Sequence, residues 1–169
     1  DGAAGAYYHD TWPQHLIGTP VLTRVDPTIN FNWDNGGSPD PLVGSSNYSV
    51  RWTGKVRANY SETYTFYTIS DNGVRLYVNG QLLIENWSLH GATEDSGTIV
   101  LSAGQLYDFE LDYFEHNSSG QVRLSWQSTS TPKQIIPQSQ LYSGQVAAPT
   151  PPPTPTPTLS TRTEAFLSA

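Results

Sequence analysis

The sequence contains no cysteine and no methionine. Without thiols it has neither a disulfide framework nor a thiolate metal site. Basic side chains are few: 8 Lys and Arg stand against 15 Asp and Glu, for a net charge of −7. They are scattered along the chain, which excludes the clustered cationic surface that a nucleic-acid partner requires. No apolar run approaches the ~20 residues that span a bilayer. No stretch sustains the 3.6-residue apolar period of a helix. The chain also lacks a Gly-x-Ser-x-Gly elbow, a His-Glu-x-x-His pair and a phosphate-cradling loop. His15, His90 and His116 share no metal-ligand spacing, so zinc is not expected. With no Met at its start, the chain is expected to be a processed or excised piece of a longer one.

What remains is rich in aromatics, β-branched residues, Gly and Asn, arranged as short strands between turns. Tyr64, Phe66 and Thr68 alternate with Thr65, Tyr67 and Ile69. Val74, Leu76 and Val78 alternate with Arg75 and Tyr77. Asn79-Gly80 then supplies a two-residue type I′ turn, in which both positions need positive φ, and Leu82 and Ile84 follow on the return strand. Thr98–Leu101, Ala103-Gly104 and Leu106–Glu115 read as a second hairpin. In it Phe109, Leu111 and Tyr113 face the core, while Asp108, Glu110 and Asp112 form a solvated stripe. Val122, Leu124 and Trp126 are the next inward set. Turn signals every 8–12 residues or so imply an all-β antiparallel sandwich or barrel.

Two segments depart from this pattern. Residues 26–41 interleave turn chemistry with Phe31 and Trp33 and read as a long loop, structural first and a binding rim second. Its Asn30, Asn32 and Asp34 do not make an EF-hand, because Pro41 stands where the bidentate Glu belongs. Residues 146–169 carry a Pro/Thr run that cannot pair as a central strand and should form an extended linker. The expected organisation is therefore a β-sandwich domain over 1–145 and a Pro/Thr-rich linker over 146–169, with further domains beyond it.

The stretch Ser70-Asp71-Asn72-Gly73 holds the most pointed chemistry. Adjacent strand residues face opposite sides, so Asp71 and Asn72 share an ion only if the backbone turns sharply between them. On physical grounds alone the favoured reading is that they shape the turn before Gly73.

The residues then match a known family. Tyr7-Tyr8, the run from Asp26-Pro27 to Asn32-Trp33, the long run from Phe66 to Gly80 continuing to Ile84-Glu85-Asn86-Trp87, and Val122-Arg123-Leu124-Ser125-Trp126 resemble the PA-14 domain. The likeness covers nearly all of residues 6–142. It implies a PA-14-like β-sandwich or barrel. For sugar-binding members it implies Ca²⁺ held by an Asp-Asp pair joined through a cis peptide. Asp71 and Asn72 fall on that pair, with Asn in place of the second Asp, which removes one formal charge. The family's second calcium loop aligns with residues 115–120, where Asn117 is the candidate side-chain ligand.

These implications combine into one expectation. The chain is a non-catalytic, calcium-dependent carbohydrate-binding module of a secreted or cell-surface multi-modular protein, its partner a polysaccharide or glycan. Asp71, Asn72 and Asn117 are the metal candidates. Asp71, Asn72, Trp87 and His116 are the sugar-binding candidates, Trp87 as a stacking face. Trp33, Trp52 and Trp126 read as core. Glycoside hydrolysis needs two carboxyl groups across a scissile bond, and no such pair is recognisable. The alternatives are a structural or protein-interaction module that binds no sugar, or an accessory domain of a linked glycoside hydrolase.

Overall fold

Alternation becomes architecture in the computed structural model, which describes residues 1–117 and 119–144. The strands are β1 (Ala3–His9), β2 (Leu22–Asp26), β3 (Asn30–Trp33), β4 (Tyr48–Arg57), β5 (Glu62–Asp71) and β6 (Val74–Val78). They continue as β7 (Gln81–Asn86), β8 (Thr93–Leu101), β9 (Leu106–Glu115), β10 (Gly120–Gln127), β11 (Gln134–Ile135) and β12 (Leu141–Tyr142). One antiparallel sheet runs β2-β1-β4-β9-β6-β7, with β12 also on β4. The other runs β11-β10-β5-β8, with β3 on β10. Their inner faces meet in one core that includes Tyr7, Trp52, Leu111, Phe66, Leu124 and Trp126. No helix among the described residues is long and apolar enough to cross a membrane. The expected Pro/Thr linker, 146–169, lies outside the described residues.

Several local expectations hold. β5 and β6 alternate buried and half-buried side chains almost throughout. Asn79 and Gly80 take φ of 50° and 73°, as the two-residue turn requires. Trp52 and Trp126 are fully buried, and Trp33 is in the core.

Others are corrected. β8 and β9 do not form a hairpin: β8 pairs with β5, while β9 lies between β4 and β6. The turn at 102–105 carries the chain from one sheet to the other, and turn residues alone do not distinguish that crossing from a hairpin. The segment 26–41 is not all loop, because β3 pairs with β10 from Trp33↔Gly120 to Asn30↔Arg123. A register shift between Leu76 and Tyr77 pairs them with Ile84 and Leu82. Leu82 is consequently exposed, and Leu83 packs on the core instead. Such an extra residue in one strand swaps the faces beyond it.

Register also gathers the functional end. His9 pairs with Tyr48, Tyr48 with Glu115, Ser70 with Thr93 and Trp33 with Gly120. The loops 10–21, 34–47, 72–73 and 87–92 and the described residues between β9 and β10 therefore emerge at one end of the sandwich.

Candidate functional site

At that end the peptide between Asp71 and Asn72 is cis, and their side chains converge. Asn72 Nδ2 donates to Asp71 Oδ1 at 2.9 Å and to the His90 carbonyl at 3.0 Å. Asn72 Oδ1 accepts from the His116 backbone N–H at 2.9 Å. A donor on one side and an acceptor on the other set the orientation of this buried carboxamide. Asn72 N–H donates to the Phe114 carbonyl, and Phe114 N–H to the Gly73 carbonyl, tying the turn to β9. A Cβ at position 73 would lie 2.0 Å from the Phe114 ring, so only glycine fits there.

Glu115 completes the cluster. Its carboxylate Oε1 accepts the N–H groups of Asn117 at 2.6 Å and Ser119 at 3.2 Å, shaping the β9–β10 loop. Its Oε2, like Ser70 Oγ, is buried with no hydrogen-bond partner among the described residues. Tyr113 Oη donates to the Asp71 carbonyl at 2.7 Å. Burial, together with the nearby carboxylates of Glu115 and Asp34, pushes the Asp71 carboxyl above its usual range against the opposing pull of His90. Burial first, and then neighbours that include Glu115, push the Tyr113 hydroxyl well up. Among the described residues no Lys or Arg pairs with Asp34, Asp71 or Glu115.

Three other acids of β9 have cationic partners. Asp112, expected in the solvated stripe, is buried, bound through both oxygens to Arg51 at 2.7 and 2.9 Å and to Arg75 at 3.0 Å. Asp108 pairs with Lys55 and Glu110 with Arg51. These two line a separate groove of about 520 Å³ on the larger sheet with Tyr77, Thr53 and Gly144. Glu115 differs from these three in being buried with no Lys or Arg partner among the described residues.

Aromatic and imidazole rings surround the pair. His15 stacks on Phe114 at 3.9 Å, and Trp87 meets Phe114 edge-on at 4.9 Å. The Arg75 guanidinium covers the Trp87 ring at 4.0 Å. The His116 ring lies 4.4 Å from Trp12, and its Nδ1 bonds Asn47 Oδ1 at 2.8 Å. Asn117, exposed on its loop, contributes its backbone N–H to Glu115. The structure thus brings Asp71, Asn72 and His116 together, with Asn117 one residue further on. Trp87 stands behind them, half-buried.

Glu115 and Trp12 did not emerge from the sequence as site residues, whereas Asp34 belongs to the 26–41 segment read there as a binding rim. Glu115 carries a signal in hindsight: Phe109, Leu111, Tyr113 and Glu115 share the inward face of β9, and a charge at its end is anomalous. No group of three or more His, Asp or Glu side chains among the described residues converges as a metal cage. A cation here would need carbonyl oxygens as well, which hard ions accept.

The PA14 domain model matches residues 1–140. The chain belongs to the PA14 domain family. It is 50% identical over 141 residues to the anti-sigma-I factor RsgI3 of Acetivibrio thermocellus, spanning 83% of this chain and 21% of that one. A solved anti-sigma factor domain-containing protein superposes with a TM-score of 0.80 at 46% identity, covering 88% of this chain and 50% of that one. The PA14 sugar-binding domain of an RTX adhesin shares the fold at 22% identity, with a TM-score of 0.69, covering 85% of this chain and 98% of that domain. This PA14 chain therefore corresponds to about a fifth of the curated relative's length and half of the solved one.

Proposed function

We propose that this PA14 domain is a non-catalytic, Ca²⁺-dependent carbohydrate-binding module of a secreted or cell-surface protein. One observation carries the reading. Among the described residues, one buried oxygen of the Glu115 carboxylate has no partner beside Asp71, and no Lys or Arg pairs with either acid. A buried anion without a counter-charge costs several kcal/mol, and a hard cation supplies what the side chains omit. The donors present are carboxylate, carboxamide and carbonyl oxygens, the set Ca²⁺ prefers. Asp71, Asn72, Asn117 and backbone carbonyls beside Asn117 would hold it, with Glu115 bonded to the Asn117 and Ser119 N–H groups from beneath. When bound, Ca²⁺ offers coordination positions that neighbouring sugar hydroxyls fill in place of water.

The chain's own residues do the rest. The amide of Asn72 keeps Asp71 oriented, and the aromatic cluster under His15 and Phe114 holds the loops rigid. His116 and Trp87 flank the pair as sugar contacts. The adhesin domain named as sugar-binding supports the same reading at the level of fold. Relatives named as anti-sigma factors suggest that glycan binding here feeds a regulator through further domains of the same polypeptide. Calorimetric titration with oligosaccharides selected on a glycan array, in Ca²⁺ and in EDTA, tests the proposal. Binding is expected in Ca²⁺ only, and affinity that ignores EDTA removes the ion from the mechanism.

A further inference from the structure

The chain has five tryptophans, and their environments divide sharply. Trp33, Trp52 and Trp126 are in the core. Trp87 is half-buried, with its ring under the Arg75 guanidinium and edge-on contacts to Phe114 and His15. Only Trp12 is substantially open, 44% exposed, and it stands at the Asp71–Asn72 end of the sandwich.

Its contacts place it against the site. The indole lies 4.4 Å from the His116 ring at an interplanar angle of 31°, and the His116 backbone N–H is the donor to Asn72 Oδ1. Phe114 at 6.3 Å and the edge-on His15 at 5.7 Å brace it from the β9 side. The loop that carries Trp12 is fastened to the sheet. His15 Nδ1 bonds Asp10 Oδ2 at 2.6 Å, Ser49 Oγ donates to Asp10 Oδ1 at 2.6 Å, and the Leu16 N–H donates to Ser49 Oγ at 2.8 Å. Both side chains of the Asp10–His15 pair are nearly inaccessible. An exposed indole normally loses freedom when a ligand docks, but here part of that cost is met in advance by a buried polar network.

From this arrangement we infer that Trp12 is the stacking platform of the carbohydrate site, receiving the apolar C–H face of a pyranose whose hydroxyls reach towards Asp71 and Asn72. The assignment rests on the carbohydrate reading above and moves the stacking role from Trp87 to Trp12. An indole face and the axial hydrogens of a pyranose are complementary in area and in polarisation, and the rim hydroxyls remain free for polar partners. A pyranose with an uninterrupted C–H face is favoured, and a sugar whose axial hydroxyls interrupt that face is disfavoured.

The test uses the 169-residue chain on a glycan array carrying gluco-, galacto-, manno- and xylopyranosyl oligosaccharides, followed by calorimetry with the best binder. Wild type, W12A, W12F and W87A are compared in Ca²⁺ and in EDTA, with thermal unfolding of each as a control. W12A is expected to weaken binding about tenfold, W12F by no more than about threefold, and W87A less than W12A. The Tm of W12A and its response to Ca²⁺ should match wild type. Wild-type affinity in W12A overturns the platform, and if EDTA still abolishes that binding the ion-dependent site survives without it. Binding lost in W12A but indifferent to EDTA upholds the platform and removes the ion. Equal weakening in W12A and W12F, with a lowered Tm in both, overturns stacking in favour of a purely structural tryptophan. A wild type that binds no array member overturns both readings.

Discussion

Two buried carboxylates illustrate what a single side chain decides. Asp26 is 3% exposed, and its needs are met three ways. Tyr7 Oη donates at 2.5 Å, Trp52 Nε1 at 2.7 Å and Arg24 Nε at 2.7 Å. That network joins β1, β2 and β4. Burial, and then the Asp26 charge, hold the Tyr7 hydroxyl far above its ordinary range. Asp26→Ala would strand a hydroxyl, an indole N–H and a guanidinium, and should cost about 3–5 kcal/mol in urea unfolding. Glu115 lacks such compensation, and Asp71 shares its field. Asp71→Asn should therefore leave ion-free stability unchanged or raise it by less than about 1 kcal/mol, since this carboxyl is only half-buried and solvent screens part of its charge. The same variant should lose the thermal response to Ca²⁺. A variant that unfolds early in EDTA would contradict the argument.

At the scale of elements, the site depends on loops held by strands and on turns held by side chains. Glu62, at the start of β5, accepts from Ser130 Oγ at 2.5 Å and Ser130 N–H at 3.0 Å. The Ser128 and Ser130 donors facing it hold its carboxyl below the usual carboxylate range. A depressed carboxyl pKa stabilises the fold above the unfolded value, and the contribution disappears as pH falls through the folded value. Wild type should therefore melt slightly above Glu62→Gln at neutral pH, and the two Tm curves should merge on acidification below that value. Curves parallel throughout would show that the carboxylate does not hold the β10–β11 turn. Element faces were legible from alternation in β5, β6, β9 and β10, because a period of two leaves each side chain one choice of face. The Leu76/Tyr77 irregularity was not, since a bulge depends on how two strands meet.

For the whole molecule, the ion reading makes stability a function of ligand concentration. Binding to the folded state alone adds about 2.7 kcal/mol at a hundredfold excess over Kd, on the order of 10 °C in Tm for a domain of this size. Differential scanning calorimetry of the full chain should show that rise with Ca²⁺ and its reversal by EDTA. A flat Tm across millimolar Ca²⁺ would separate the fold from the ion. The five loops contributing to the candidate site lie far apart in sequence and meet only because antiparallel register returns each to the same end.

The amino-acid order by itself determined an all-β domain, the faces of most strands and the Asn79-Gly80 turn. These follow from rules that act over a few residues, alternation and turn stereochemistry, whereas the focus on Asp71 and Asn72 came from the family resemblance. Tertiary structure decided that β8 and β9 part into different sheets, that Asp112 is neutralised while Glu115 is not, and that Trp12 is more open to solvent than Trp87. Those outcomes depend on which distant strand, cation or ring arrives alongside, and burial and electrostatic compensation exist only once it has.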